Sequence, residues 1–319
     1  MKTYKNLLAG IIGALSITLA ADSAMAEYPN KPIQVIVPYG AGGDSDLTTR
    51  IWADAVEKEI GSPIVVVNRP GGSGVVGTAF VVNAKQDGYT LVNAGLGNIQ
   101  VAPNFSKAPY NFDSFTPIVK MTAVPLAVVV SEESPYKTFD DFVEAAKEKT
   151  LTQGSFGAAS SGTILGNIIA NQMGYKPKYV HADTTAESVA SVVGGHIDSA
   201  VSFPPGFDPH VKAGKARILV MNERMEHHPE DIPLFSDYGI EGDFEGWSGI
   251  FAPAGVPREV VDTLVAATEK VMKDPKVLEA FKNIGAIVDF RHGDEWVDDM
   301  KATYDLMSDL AKEEQNKGK

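Results

Sequence analysis

Ile33-Gln34-Val35-Ile36-Val37-Pro38-Tyr39-Gly40-Ala41-Gly42-Gly43-Asp44-Ser45-Asp46 sets a β-branched apolar run directly against a glycine-rich turn. After it Leu47, Ile51, Trp52, Ala55, Val56 and Ile60 recur on one helical face until Gly61 and Pro63 stop the pattern. The order is strand, loop, helix. Ile64-Val65-Val66-Val67 reads as a second strand, buried on both faces, followed by a helix from about Ser73 to Asn83 and a strand from Thr90 to Ala94. Strands that alternate with helices in this way pair in parallel and carry helices on both faces, so the class is α/β.

Outward from this unit the alternation resumes. Leu126 to Val130 is a strand, Phe139 to Lys149 a helix, a short strand lies near Gln153, and Ile164, Leu165, Ile168, Ile169 and Met173 share one helical face. Strands at Tyr179 to His181, Ser199 to Phe203 and Arg217 to Met221 follow, with helices around Ala186 to Val193 and Asp208 to Ala213 between them. From Trp247 the chain returns to the character of its start. Pro257 stands at the first turn of a helix containing Val260, Val261, Leu264, Val265 and Val271, and a final helix covers about Asp294 to Lys312. Crossovers near residues 123–128 and 225–245 divide the chain into two lobes, each a mostly parallel sheet flanked by helices. One lobe is built from residues 27–125 and 228–319 and the other from 126–227. Two crossing segments form a hinge.

Residues 1–26 read as an export signal. Lys2 and Lys5 precede an uncharged run from Leu7 to Ala21, and Ala24-Met25-Ala26 offers small residues for cleavage after Ala26. The run is shorter than the roughly 20 residues a membrane span needs, and nothing comparable follows, so a soluble periplasmic protein without membrane insertion is expected. The chain has no cysteine, which excludes a lipid anchor at a cysteine, disulfides and thiolate metal sites. Its net charge is −13, and loss of Lys2, Lys5 and Asp22 takes it to −14, which argues against nucleic acid as a partner. An anionic ligand must then be met by local donors, such as backbone amides and helix N-termini.

Three loops fit that requirement at the carboxyl ends of strands, where open α/β sheets bind ligands. Tyr39, Ala41, Gly42, Gly43 and Asp46 belong to the first, where the glycines allow close backbone approach and the following helix offers unpaired N–H groups. The plainer reading is a strand-to-helix turn capped by Asp44 or Ser45. The second loop, Asn68 to Gly77, holds Gly72, Ser73 and Gly74. Its G-x-G-x-x-G at Gly72, Gly74 and Gly77 also allows a dinucleotide-dependent oxidoreductase, but no acidic residue closes a following strand at the required distance. The third, Gly154 to Thr163, supplies the hydroxyls of Ser155, Ser160, Ser161 and Thr163 ahead of a helix. A nucleophilic serine is disfavoured there, since the spacing is not G-x-S-x-G and no histidine and acid are marked as partners; a simple cap is the bland alternative. His181, Asp183 and Thr184 end a further strand and are placed to face the groove, with His181 a source of pH sensitivity or simply a structural histidine. His227-His228 lacks a metal-binding spacing and a third ligand, and is expected to be exposed. No cofactor and no metal are expected.

Taken together these residues resemble the solute-binding receptors of tripartite tricarboxylate transporters, the TctC-like or Bug family. Tyr28-Pro29-Asn30-Lys31-Pro32-Ile33 is similar to the family's mature start, and Val37-Pro38-Tyr39 with Gly42, Gly43, Asp46 and Arg50 to its first loop. Val67 to Gly77, Asp87-Gly88-Tyr89-Thr90-Leu91, Gly194 to Asp198, Trp247 and Ala252 to Pro257 follow in family order. The resemblance implies a type II periplasmic-binding fold. Two first-lobe loops would hold a ligand carboxylate through amides and water, with Asp46 a brace between loops and Ser160 the third loop's hydroxyl. It implies further a monomeric receptor, not an enzyme, that delivers a mono-, di- or tricarboxylate to a two-subunit membrane permease; a sensory receptor is the competing role. Val180-His181-Ala182-Asp183 replaces the family's Pro-Tyr-Lys-Gly-like segment, so the second-lobe surface is rebuilt.

Overall fold

The computed structural model describes residues 28–240 and 245–317, with side chains as far as residue 312. The expected export signal lies outside the described residues. In chain order the first half contains β1 (Ile33–Val37), α1 (Asp44–Ile60), β2 (Ile64–Asn68), α2 (Val75–Val82), β3 (Thr90–Ala94), a π-helical turn at Gly97–Val101, α3 (Ala102–Phe105), β4 (Phe115–Val124), β5 (Ala127–Ser131) and α4 (Phe139–Glu148). The second half contains β6 (Thr152–Ser155), α5 (Ser161–Met173), β7 (Lys178–His181), α6 (Thr185–Val193), β8 (Ser199–Ser202), α7 (Pro204–Lys212), β9 (Ala216–Met221), β10 (Gly246–Pro253), α8 (Arg258–Val271), α9 (Pro275–Asn283), β11 (Ile287–His292) and α10 (Gly293–Lys317).

Two sheets result. The six-stranded sheet has the order β11-β4-β10-β3-β1-β2 and the five-stranded sheet β7-β6-β8-β5-β9. β1 pairs in parallel with β2 and β3, Val35 lying opposite both Val66 and Leu91. β10 runs antiparallel to both β3 and β4, and in the second sheet β5 runs antiparallel to β8 and β9 while β6 pairs in parallel with β7 and β8. Both sheets are therefore mixed and not mostly parallel as expected: two of the five pairings in the first and two of the four in the second are parallel, because β4, β5, β9 and β10 carry the chain between the sheets and β11 runs back antiparallel beside β4.

The chain crosses between β4 and β5 and returns between β9 and β10. The two crossings are tied side by side, because the Asn222 amide donates to Leu126 O (3.1 Å) and the Leu126 amide to Asn222 Oδ1 (2.6 Å). The largest apolar cluster contains residues of both sheets together with Val124, Leu126, Phe156 and Phe203 at the crossing.

Local signals explain most boundaries. α1 buries Trp52, Ala53 and Val56, and stops at Gly61, whose left-handed backbone (φ 66°) lets its N–H reach Glu57 O. Trp52 Nε1 donates to Thr268 Oγ1 at 3.0 Å, which joins α1 to α8.

Other features differ from the sequence reading: β2, expected to be buried, is the edge strand of its sheet with Val65 exposed, and several boundaries move. β4 is a ten-residue, mostly buried strand where no strand is expected, because Pro117 and Lys120 interrupt its apolar pattern. Pro117 falls at a register shift in the pairing with β10, and Lys120 is buried against Glu245 (2.9 Å) and Asp289 (2.5 Å). β11 and α9 are likewise unanticipated, α7 begins at Pro204 rather than near Asp208, Pro257 is the N-cap of α8 and not its first helical residue, and α10 continues to Lys317. Among the described residues no helix is long and apolar enough to cross a membrane.

Candidate ligand-binding cleft

Loops from both sheets meet around two cavities. One, of about 50 Å³, is walled by Tyr39, Gly43, Asp44 and Ser45 and by the turn Gly95-Leu96-Gly97-Asn98 from the first sheet. Phe156, Ser161, Asp183, Thr184, Thr185 and Phe203 close it from the second sheet, with Val124, Gly246 and Trp247 near the crossing. The other, of about 250 Å³, lies between Pro70 to Gly74 on one side and Phe156, Gly157 and His181 to Asp183 on the other. Tyr39, Phe156 and Asp183 line both, so the two form one cleft.

Across this cleft the lobes touch. Ala159 N donates to Ser73 Oγ at 3.2 Å, and a Cβ placed on Gly40 would lie 2.7 Å from Thr184 Cγ2. The smaller cavity has room for a few waters at roughly 10–15 Å³ each. Anything larger fits the smaller cavity only if the loops around it move apart.

Helix starts dominate the walls. Gly43 caps α1, Gly74 caps α2, Ser161 opens α5, Thr184 caps α6 and Phe203 caps α7. The starts of α1, α5 and α6 offer first-turn amides and a positive dipole end there, the backbone counterpart of a basic side chain, whereas the Val75 and Val76 amides of α2 already bond to Gly72 O and Gly71 O (3.2 Å each) and α7 opens with Pro204 and Pro205, which have no N–H. No lysine or arginine lines either cavity.

The candidate residues separate into wall and support. Tyr39, Gly43, Gly72, Ser73, Gly74, Ser161, His181, Asp183 and Thr184 line the cleft. Ala41 and Gly42 are exposed and line neither cavity. Asp46 lies behind its loop: Oδ2 accepts the Gly42 amide (2.8 Å), and Oδ1 accepts from Asn68 Nδ2 (2.9 Å) and Arg50 Nε (3.0 Å). Asn68 Nδ2 also donates to Tyr39 O (3.2 Å), so the first and second loops are held as one piece. Burial pushes the Asp46 carboxyl up, but the bonds from Arg50, the Gly42 amide and Asn68 outweigh it and hold the group below its ordinary value.

In the third loop three of the four hydroxyls serve the fold. Ser155 Oγ contacts Thr163 Oγ1 (2.6 Å) and His181 Nδ1 (2.9 Å), Thr163 Oγ1 donates to Gly157 O (2.8 Å), and Ser160 Oγ caps α5 by accepting the Thr163 amide (3.3 Å). All three are buried and line neither cavity. A β-strand points alternate residues inward, and the register that turns Ser155 into the lobe is not visible in a loop of hydroxyls. His181 stacks on Tyr179 with ring centroids 5.9 Å apart, and desolvation pushes its pKa down.

Several wall residues escaped the sequence reading: Asn98 and its turn, Phe203, Gly246, and Asp44 and Ser45 as lining groups, while Phe156 belongs to the third loop. Asp44 is not the N-cap; Gly43 is, and no side chain caps the helix. A further correction concerns His227-His228. His228 is buried, and Asp208, distant in sequence, supplies a third group, with Nε2 of His227 at 2.6 Å from Oδ2 and Nε2 of His228 at 2.9 Å from Oδ1. These atoms lie within 4.8 Å of one another, close enough to share an ion. The Met225 amide donates to His228 Nδ1 (3.3 Å), so His228 carries its proton on Nε2 and donates it to Asp208, which makes the cluster a hydrogen-bonded clasp between α7 and the return segment.

Against this geometry stand the comparisons. A sequence model of the tripartite tricarboxylate transporter family receptor matches residues 48–308. A UPF0065 protein of Bordetella bronchiseptica is 29% identical over 283 residues, covering 88% of this chain and 83% of its own. A solved structure described as a periplasmic transporter superposes with a TM-score of 0.84 at 30% identity, over 90% of this chain and 98% of the other. MatC of Rhodopseudomonas palustris, solved with bound malate, shares the fold with a TM-score of 0.82 at 24% identity, over 89% of this chain and all (100%) of the other.

Proposed function

Since the chain belongs to the tripartite tricarboxylate transporter receptor family, we propose that it is a periplasmic receptor that captures a small carboxylate-bearing solute between its lobes and hands it to a membrane permease. The observation that carries this reading is the convergence of the amino ends of α1, α5 and α6 on a cleft lined by no lysine or arginine. A carboxylate is the ligand that unpaired amides and positive dipole ends complement. Malate in MatC is a solute of that class.

In this reading residues 27–125 and 228–319 form one lobe, 126–227 the other, and residues 1–26 direct export. The solute docks first on the loop braced by Asp46, and closure brings Ser161, Asp183 and Thr184 over it. Closure removes water, which strengthens each hydrogen bond to the carboxylate. No step of bond making is involved, so the protein shows affinity without turnover.

A thermal-shift screen of organic acids tests the proposal. An acid present at 100 times its dissociation constant adds about 2.7 kcal/mol of stability. Absence of a shift across mono-, di- and tricarboxylates, with and without amino or hydroxyl groups, refutes it. Retention of a nucleotide on purification would favour an oxidoreductase instead.

A further inference from the structure

Asp44 is the one acid of the first loop that the fold does not use. Its neighbour Asp46 braces the turn, but Asp44 makes no capping bond, and its Oδ1 is sealed from solvent without a hydrogen-bond partner. The residue as a whole is half-buried, and it lines the smaller cavity. A carboxylate oxygen in that position has lost its water and gained nothing in return.

The surroundings are acidic and aromatic. Asp183 and Tyr39 are the other titratable groups of that cavity, and Glu187 and His181 line the adjoining one. Tyr39, Phe156, Phe203 and Trp247 supply ring surface around Asp44; Tyr39 packs edge-on to Phe156 at 6.3 Å, and Phe156 lies 5.6 Å from Phe203. A second carboxylate brought beside Asp44 would meet like charge with no lysine or arginine in the wall. An ammonium group there gains a carboxylate partner and aromatic faces together.

Building on the capture reading above, we propose that the solute carries a positively charged nitrogen, a protonated amine or a quaternary ammonium, beside its carboxylate, and that Asp44 receives it. The helix N-termini hold the acid end and Asp44 the basic end, so the ligand enters as a zwitterion. This makes Asp44 the residue that separates amino acids and betaines from plain organic acids.

Burial alone pushes the Asp44 carboxyl up to about 7, with no charged neighbour contributing. A proton and the ligand's cation then compete for it. Affinity for an amino-bearing ligand rises with pH up to that value and falls about tenfold per unit below it, whereas affinity for a plain acid changes in the opposite sense.

The test uses the full mature chain and paired ligands: α- and ω-amino acids and glycine betaine, each against the same acid with the nitrogen group removed. Calorimetry on the wild type is expected to show the nitrogen-bearing member of the productive pair bound roughly 10- to 100-fold more tightly. In Asp44→Asn, which is nearly isosteric, that preference should vanish while the plain acid binds as well or better. Equal binding of both members by the wild type, or a preference that survives in Asp44→Asn, overturns the assignment and leaves carboxylate capture standing. If no acid of either series binds the wild type, the capture reading itself fails.

Discussion

Adding one methyl group at Gly40 should hold the lobes apart without harming either. Gly40 is not in a left-handed conformation, so alanine fits its backbone, and nothing within its own lobe lies as near as the partner across the cleft. That partner is Thr184 Cγ2, 2.7 Å from the added Cβ and about 1 Å inside ordinary van der Waals contact. Thr184 cannot swing aside freely, because its Oγ1 caps α6 by accepting the Glu187 amide at 3.0 Å. Breaking that cap costs about 1 kcal/mol, and overpacking the contact costs 1 kcal/mol or somewhat more, about the same order. A penalty of about 1–2 kcal/mol on the closed form alone weakens ligand binding roughly 5- to 30-fold. Calorimetry with an acid found in the screen measures this, and the unfolding midpoint of the ligand-free Gly40→Ala protein should stay unchanged. Thr184→Ser removes Cγ2 and keeps the capping oxygen, so Gly40→Ala/Thr184→Ser should regain most of the affinity. Full affinity in Gly40→Ala, or no recovery in the double variant, would show that this contact does not govern closure.

Other outcomes follow from the supports of the cleft. Asp46→Ala strands the Gly42 amide, Asn68 and Arg50, and should lower stability by about 2–3 kcal/mol in urea unfolding while weakening ligand binding. Because the Asp46 carboxyl is held below its unfolded value, its contribution is complete at neutral pH and is lost as pH falls through the folded value. Wild-type stability should therefore drop in acid more than that of Asp46→Ala. Lys120→Met removes the buried ammonium that Glu245 and Asp289 share, leaves Asp289 with Arg291, and should cost about 1–2 kcal/mol in the same unfolding assay. Ser73→Ala deletes the acceptor for the Ala159 amide across the cleft, and a loss of about 1 kcal/mol, roughly fivefold in affinity, is expected with the fold intact.

What could be read along the chain was whatever short-range patterning encodes. β1, α1, β2 and β3 were legible because residues close in sequence share a face or a strand, and Gly61 ends its helix by its own backbone freedom. The glycine and hydroxyl loops were legible as places where helices begin. The division of labour inside them was not. Whether a hydroxyl faces ligand or core depends on which neighbour packs against it, and Ser155, Ser160 and Thr163 meet one another, His181 and Gly157 instead of the cleft. The same dependence on distant partners hid β4, whose Lys120 is buried only because Glu245 and Asp289 arrive from the other end of the chain, and joined Asp208 to His227 and His228. It also separated two aspartates that sit two residues apart: Asp46 is drawn into a brace by Asn68 and Arg50, while Asp44 is left against the aromatic walls that the second sheet brings to it. Local periodicity decided the elements, and the desolvation and pairing created when the two sheets meet decided which residues are free to act.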